Sequence, residues 1–453
     1  MGDRPKGAWD NARYGDLETR RSSVCETLIM NGEADGRIGT VLHAADLHLG
    51  APLQSLGNQL DQRTADRVRH HATRAYENLV DLAIDEGVEV VVLAGDVYDH
   101  AERDVAAQVR FTRGLRRLTE QGIAVFIAHG NHDPLIRNLK LAAQLPEHVT
   151  VFEPGDPQTH TVTLRDDATL HVTGVSFGKV HEEANLAERF HQLDTPASHT
   201  VGVLHTNVGS QTGHGNYAPC TVEDLIRAPI GYWALGHIHK REVRPIESGR
   251  WWAYPGNLQG RSAKTSECGP KGALLVPVLA DGFGEPEFRA CAEVRFERID
   301  VDVSESPDLS SAIDAAAAAV PEPEGTERIV VARIRLVGRS NAHRQLISAG
   351  APNLLMLVQE ALDDDDHRVA MKVEIATRST IERSVLLARG DILAGALRRI
   401  DSLEGQPETM LEAHLKPNIA RLLEELQAGD DTIGRQLVER AEQQLIEHLD
   451  EDL

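Results

Sequence analysis

The chain has 453 residues but only four cysteines, Cys25, Cys220, Cys268 and Cys291, and no two of them form a Cys-x-x-Cys pair. A zinc ribbon and a disulfide framework are therefore not indicated, and free thiols are expected. No apolar run is long enough to cross a bilayer, and the N-terminal stretch is polar and charged rather than a positive start followed by an apolar core. A cytoplasmic protein with no membrane association is expected. The sequence also lacks a Gly-x-Ser-x-Gly elbow and a Gly-x-x-x-x-Gly-Lys phosphate loop, so it offers neither of those nucleophile or phosphate-cradle motifs. Basic excess is missing too. A net charge of −23 argues against a polyanionic substrate. The imbalance is uneven, however: residues 300–453 hold 30 Asp and Glu against 16 Lys and Arg, which leaves only −9 for the first 299 residues.

Five short segments stand out against that background: Asp46-Leu47-His48, Gly95-Asp96, Gly130-Asn131-His132-Asp133, His205 and Gly236-His237-Ile238-His239. Each closes or follows a branched apolar run, among them Thr40 to Leu42, Val88 to Leu93, Ile123 to Ile127 and Val201 to Leu204. Such runs read as buried strands with polar residues at their carboxyl ends. Helical character between them, over Asp61 to Glu86 and Asp104 to Gln121, predicts a largely parallel sheet with its crevice at those ends. Taken singly, each histidine reads as readily as a core or surface residue, and Gly95-Asp96 or Gly130-Asn131 as a turn. Jointly, five segments of metal-binding chemistry at strand ends indicate a two-metal phosphoesterase site. Asp96 is the obvious bridging carboxylate. Imidazole, carboxylate and one amide oxygen suit manganese, zinc or iron better than calcium or magnesium, with manganese the first choice.

At these motifs the chain resembles the calcineurin-like metallophosphoesterases, and within them the DNA repair exonucleases of the SbcD nuclease-subunit family. The stretches Tyr254 to Arg261 and Gly269 to Ala273 look like the YhaO-type branch. The resemblance implies a four-layer α/β/β/α sandwich with a small α/β capping domain and C-terminal helices. It implies one metal held by Asp46, His48, Asp96 and His239, the other by Asp96, Asn131, His205 and His237, and His132 as the catalytic histidine. Some relatives carry a second histidine three residues after the bridging aspartate; here that position is Asp99, which is left out of the catalytic set. An SbcC-type coiled-coil ATPase and DNA are the implied partners. A homodimer is compatible with the resemblance, although no residue demands it.

The expected organisation is a disordered arm over 1–37, with Met30 as an alternative start, a nuclease domain over 38–282, a capping domain over 283–380 and a helical, partner-binding region over 381–453. Positive residues near the crevice include the Arg63 to Arg74 helix and Arg261, Lys264 and Lys271. Arg261 and Lys264 are the expected DNA contacts. Trp251 and Trp252 read as core before they read as a base-stacking surface. Three functions remain open: a manganese-dependent DNA nuclease, a phosphodiesterase or phosphatase for small molecules or phosphoproteins, and a metal-stabilised scaffold that anchors an ATPase. His132 argues against the last, since a scaffold has no need of it.

Overall fold

An unbroken run of branched aliphatic residues can be buried on both faces of a strand, and that is how the apolar runs of this chain are used. The computed structural model describes residues 36–401 apart from 52, 54–55, 57–58, 100–104, 136–143, 210–214, 247–248, 363–365, 382 and 389. The expected N-terminal arm and the leucine pattern beyond residue 401 lie outside the described residues.

Strands β1 (Arg37–Ala44), β2 (Val90–Ala94), β3 (Ala124–Ala128) and β4 (Val149–Val151) pair in parallel. Helices α1 (Gln62–Ala72) and α2 (Ala75–Asp85) lie between the first two strands, and α3 (Val105–Glu120) between the next two. The chain then builds a second sheet from β5 (Gln158–Thr163), β6 (Thr169–Gly174), β7 (Thr200–His205), β8 (Tyr232–Gly236), β9 (Glu242–Ile246) and β10 (Arg250–Tyr254), ordered β5-β6-β7-β8-β10-β9. A short helix α4 (Val222–Arg227) precedes β8. Strand β11 (Gly272–Leu279) returns to the first sheet antiparallel to β1, with β12 (Gly282–Phe283) and β13 (Glu287–Ala290) paired to it.

Period-two alternation sets the layers. Leu42, Val91, Leu93 and Ile127 pack against Leu79, Val80, Phe111 and Leu115 of the helices. Val41, Val90, Val92 and Phe126 face Leu170, Val172, Val203 and Ala234 of the second sheet. Trp233, Leu235, Trp252 and Tyr254 cover that sheet's outer side together with Leu225 and Phe190. The order is helix, sheet, sheet, helix. Trp252 is buried and the Trp251 indole donates to the Phe283 carbonyl, so this pair is core rather than a stacking surface.

One expected element divides. The helical stretch from Asp61 to Glu86 is two helices, α1 capped by Asp61 and ending at Thr73, and α2 starting after Arg74. At the break Arg74 Nε donates to Glu293 Oε1 (2.8 Å) and Asn78 Nδ2 to the Cys291 carbonyl (2.9 Å). Those partners lie more than two hundred residues away, beyond any local breaker signal.

The described residues form two compact units, one up to Phe296 with Pro323–Ile329, the other Glu297–Glu322 with the residues after Ile329. The second is built on β14 (Val294–Asp302), β15 (Ile329–Arg339) and β16 (Arg368–Arg378), ordered β14-β15-β16. Helix α5 (Leu309–Ala318), capped by Asp308 and Ser311, and α6 (His343–Ala361) cover Val330, Ala332, Ile334 and Leu336. Helix α6 is interrupted at Gly350 (φ 74°, ψ 152°). Helices α7 (Arg383–Ala388) and α8 (Ile392–Asp401) follow, with Leu386 and Leu397 packed together.

Candidate metal centre

All five polar segments leave the carboxyl ends of β1, β2, β3, β7 and β8. Their loops are pinned to one another: Asp46 N donates to the Gly95 carbonyl (3.0 Å), His48 N to the Asp96 carbonyl (3.0 Å) and Thr206 N to the Gly236 carbonyl (3.2 Å). Four site residues hold left-handed backbone, Asp46 (φ 50°), His48 (φ 44°), Asp96 (φ 49°) and His237 (φ 101°). Non-glycine residues take that conformation at a cost of about 1–3 kcal/mol each, so the surrounding fold must enforce it. Gly95 (φ 96°) has no such choice, because a Cβ there would run into the His205 imidazole. Gly95→Ala is therefore expected to cost about 3 kcal/mol or more, read as a fall in the denaturation midpoint of the first unit.

The side chains converge. Ligand atoms of Asp46, His48 and His239 lie within 4.8 Å of one another, as do those of Asp46, Asp96 and His205. Each imidazole has one nitrogen turned to an oxygen acceptor. His205 Nδ1 donates to the Ala94 carbonyl (3.0 Å), His237 Nε2 to the Gly215 carbonyl (3.0 Å) and His239 Nδ1 to Glu267 Oε1 (2.7 Å), while His48 Nδ1 faces Asp99 Oδ1 at 3.1 Å. A proton held on His205 Nδ1, His237 Nε2 and His239 Nδ1 by those bonds, and drawn to His48 Nδ1 by the Asp99 carboxylate beside it, leaves the other ring nitrogen as an electron-pair donor.

With the protons so placed, two pairs of such donors face each other through their lone pairs. His48 Nε2 and His239 Nε2 are 3.1 Å apart, and His205 Nε2 and Asn131 Oδ1 are 3.1 Å apart. Asp96 Oδ2 lies between the pairs, 3.9 Å from His48 Nε2 and 3.5 Å from His205 Nε2. His237 stands beside His205, ring centroids 5.3 Å apart, but belongs to neither of the tight clusters named above. Facing lone pairs and buried carboxylates repel unless a cation comes between them, so the donor set fits divalent metal. The charges agree. Burial raises the Asp46 carboxyl well above the usual carboxylate range, the Asp96 charge adding to it, and burial likewise raises Asp96. Burial lowers His48 and His205 to about 4, which keeps both neutral and able to ligate at physiological pH.

His132 is placed differently. Its Nδ1 donates to the Asp99 carbonyl (2.9 Å), and its side chain is 39 % exposed where Asp96 and His205 are buried. The Nε2 edge is thus the one open to a substrate.

Sequence reading named Asp133 and Lys271 without the parts they play here, and missed Glu267. Asp133 accepts from Val97 N, Tyr98 N, Gly130 N and His129 Nδ1, which locks the loops after β2 and β3 together. Lys271 Nζ donates to the carbonyls of His239 (2.7 Å) and Ser266 (2.6 Å), and burial lowers its pKa to about 8. Glu267 accepts from His239, Asn257 Nδ2 (2.8 Å) and Arg261 N (2.9 Å). Burial pushes Glu267 up, but its hydrogen bond to His239, the Arg261 charge and the Arg261 backbone N–H outweigh that and hold it at about 2. The signal for Glu267 and Asp99 was the general need of a ligating imidazole for an acceptor on its far nitrogen. Of the two expected DNA contacts, Lys264 is exposed, whereas the Arg261 guanidinium is engaged by Asp99 Oδ1 at 2.5 Å.

Sheets, strand-end motifs and donor geometry together define a calcineurin-like phosphoesterase domain, and residues 39–241 match the Calcineurin-like phosphoesterase family. Residues 296–378 match "Metallophosphoesterase YhaO, middle domain". The chain is 34% identical over 272 residues to the protein named "Uncharacterized metallophosphoesterase YhaO" of Bacillus subtilis (strain 168), which covers 60% of this chain and 65% of that one. It is 29% identical over 299 residues to the "DNA double-strand break repair protein Mre11" of Aeropyrum pernix, covering 60% and 66%. A protein of the same name from Sulfurisphaera tokodaii is 25% identical over 255 residues, covering 53% and 60%. The matched region thus spans a little under two thirds of these relatives' length.

Proposed function

We propose that this chain is a two-metal, manganese-dependent nuclease that hydrolyses DNA phosphodiester bonds as the nuclease subunit beside an SbcC-type ATPase in the cytoplasm. The observation that carries the chemistry is the pair of facing donor sets joined by Asp96. Asp46, His48, Asp96 and His239 would hold one cation; Asp96, Asn131, His205 and His237 the other. Two divalent cations supply an activated water and neutralise the charge that builds on the phosphoryl oxygens.

The remaining work falls to the chain itself. Asp96 would contribute to both positions, and its Oδ1 accepts from His132 N (2.9 Å), which couples the loop that carries His132 to that carboxylate. His132, with Nδ1–H committed to the Asp99 carbonyl, acts as the doubly protonated ring: it presents Nε2–H to the leaving oxygen, gives it that proton and ends as the neutral Nδ1–H imidazole. The DNA reading is supported by the relatives named for double-strand break repair, and Lys264 is exposed near the site to meet a phosphate. Among the described residues no helix is long and apolar enough to cross a membrane, in keeping with this reading.

The test is manganese-dependent cleavage of linear and hairpin DNA by the purified chain, with a small phosphodiester alongside. Cleavage of DNA that disappears with His132→Ala supports the nuclease. Hydrolysis of the small diester with DNA left intact would move the substrate to a small molecule or phosphoprotein.

A further inference from the structure

The sequence marks Arg261 as a DNA contact, yet its guanidinium points at the two carboxylates behind the metal-binding histidines. Nη1 lies 2.5 Å from Asp99 Oδ1, and Nε lies 4.0 Å from Glu267 Oε1. The Arg261 backbone N–H also donates to Glu267 Oε2 (2.9 Å). Asp99 Oδ1 faces His48 Nδ1 at 3.1 Å, and Glu267 Oε1 accepts from His239 Nδ1 at 2.7 Å. The other nitrogens of those two rings meet 3.1 Å apart, at one cation position.

We propose that Arg261 is a positioning residue for that cation: it ties the two carboxylates that orient His48 and His239 into one unit. A planar guanidinium holds its Nη and Nε hydrogens in one rigid fork, which fixes the carboxylates it meets relative to each other, whereas an ammonium on a flexible stem fixes them less firmly. Without it, Asp99 and Glu267 lose their shared counter-charge and Asp99 is released to turn away from His48. The His48 lone pair then no longer has a fixed direction. Only 26 % of the Arg261 side chain is exposed, which suits an inward role better than a reach for phosphate.

The proposal rests on the two-cation reading of the site, so its test carries a separate control for that reading. Mn²⁺ alone is titrated calorimetrically into the full chain and into Arg261→Ala, Arg261→Lys and Asp96→Asn, each checked for folding by circular dichroism. Binding of a double-stranded DNA in EDTA is followed against salt. The expected result is a Mn²⁺ dissociation constant raised about 10- to 100-fold in Arg261→Ala, less in Arg261→Lys, with the salt slope of DNA binding unchanged. Should Arg261→Ala fail to fold, the Arg261→Lys titration decides alone. Wild-type Mn²⁺ affinity in the arginine variants, with binding lost in Asp96→Asn, overturns the positioning role and leaves the metal site standing. Unchanged Mn²⁺ affinity together with a salt slope reduced by about 1 would make Arg261 the phosphate contact. Wild-type affinity in Asp96→Asn would remove the metal reading itself, and the proposal with it.

Discussion

Asp96→Asn is expected to raise the melting temperature of the metal-stripped protein at neutral pH and to lower phosphoester hydrolysis by about a thousandfold or more. The stability gain follows from burial, which raises the Asp96 carboxyl above its ordinary value; His48 opposes the shift and Asp133 adds to it. A carboxyl whose pKa is raised by folding contributes its full stability below the unfolded value and loses it as pH rises through the folded one. At neutral pH, above the unfolded carboxyl value, the stripped protein therefore carries the cost of burying this group, and the neutral amide does not. Asparagine also tolerates the left-handed backbone here (φ 49°) and can still accept from His132 N. The loss of activity follows from the same charge. The bridge is what would hold two cations at the phosphate, several kcal/mol of transition-state stabilisation go with it, and each 1.4 kcal/mol is a factor of ten.

Acid sharpens the test. His48 and His205 are held at about 4 by burial, so the stability they provide is present above about 6.5 and is lost as pH falls through about 4. As pH falls toward the unfolded carboxyl value, the wild-type carboxylate gains stability by protonating, and the amide cannot. The advantage of Asp96→Asn in EDTA should shrink steadily on acidification, and melting curves from pH 7 to 4.5 would read it. A variant that melts below wild type in EDTA at pH 7, and is still stabilised by Mn²⁺, would contradict the account.

What could be read in advance was what local pattern encodes. Strands β1, β2, β3 and β7 declare themselves through Val, Ile and Leu runs with a polar residue at the end, so the convergence of Asp46, His48, Asp96, Asn131 and His205 on one crevice was legible with them; His237 and His239 follow β8, Tyr232–Gly236, and were legible from their Gly-His-x-His spacing. The strands β5 and β6 were not. Gln158–Thr163 is largely exposed and threonine-rich, and its strand character comes from pairing with β6, not from an apolar face. The break between α1 and α2 depends on Glu293 and Cys291, and the orientation of His48 on Asp99 depends in turn on Arg261, 162 residues further along. Arg261 shows the limit most plainly. A basic residue in a glycine-containing loop near a crevice reads as a phosphate contact until the carboxylates that meet it are placed.

His132→Ala should divide binding from chemistry. The loop that carries His132 also carries Asn131, and the His132 ring packs edge-on against His48 (centroids 4.8 Å apart), but its Nδ1 bonds the Asp99 carbonyl and it is neither partner in the two facing donor pairs. Removing the ring therefore leaves those donors in place, and Mn²⁺ affinity is expected to stay within about twofold of wild type while kcat falls about 10²- to 10⁴-fold, the usual scale for a lost general acid. The size of the fall must depend on the leaving group. A DNA alkoxide needs a proton as it departs, so the loss is full there. A p-nitrophenolate departs without one, so a p-nitrophenyl phosphodiester should be cleaved by the variant with most of the loss erased. An equal fall on both substrates would take the proton from His132 and leave it a substrate-binding role. A fall in Mn²⁺ affinity that tracks kcat would instead make it a ligand, with the Asp99 carbonyl giving up Nδ1 to hold it there.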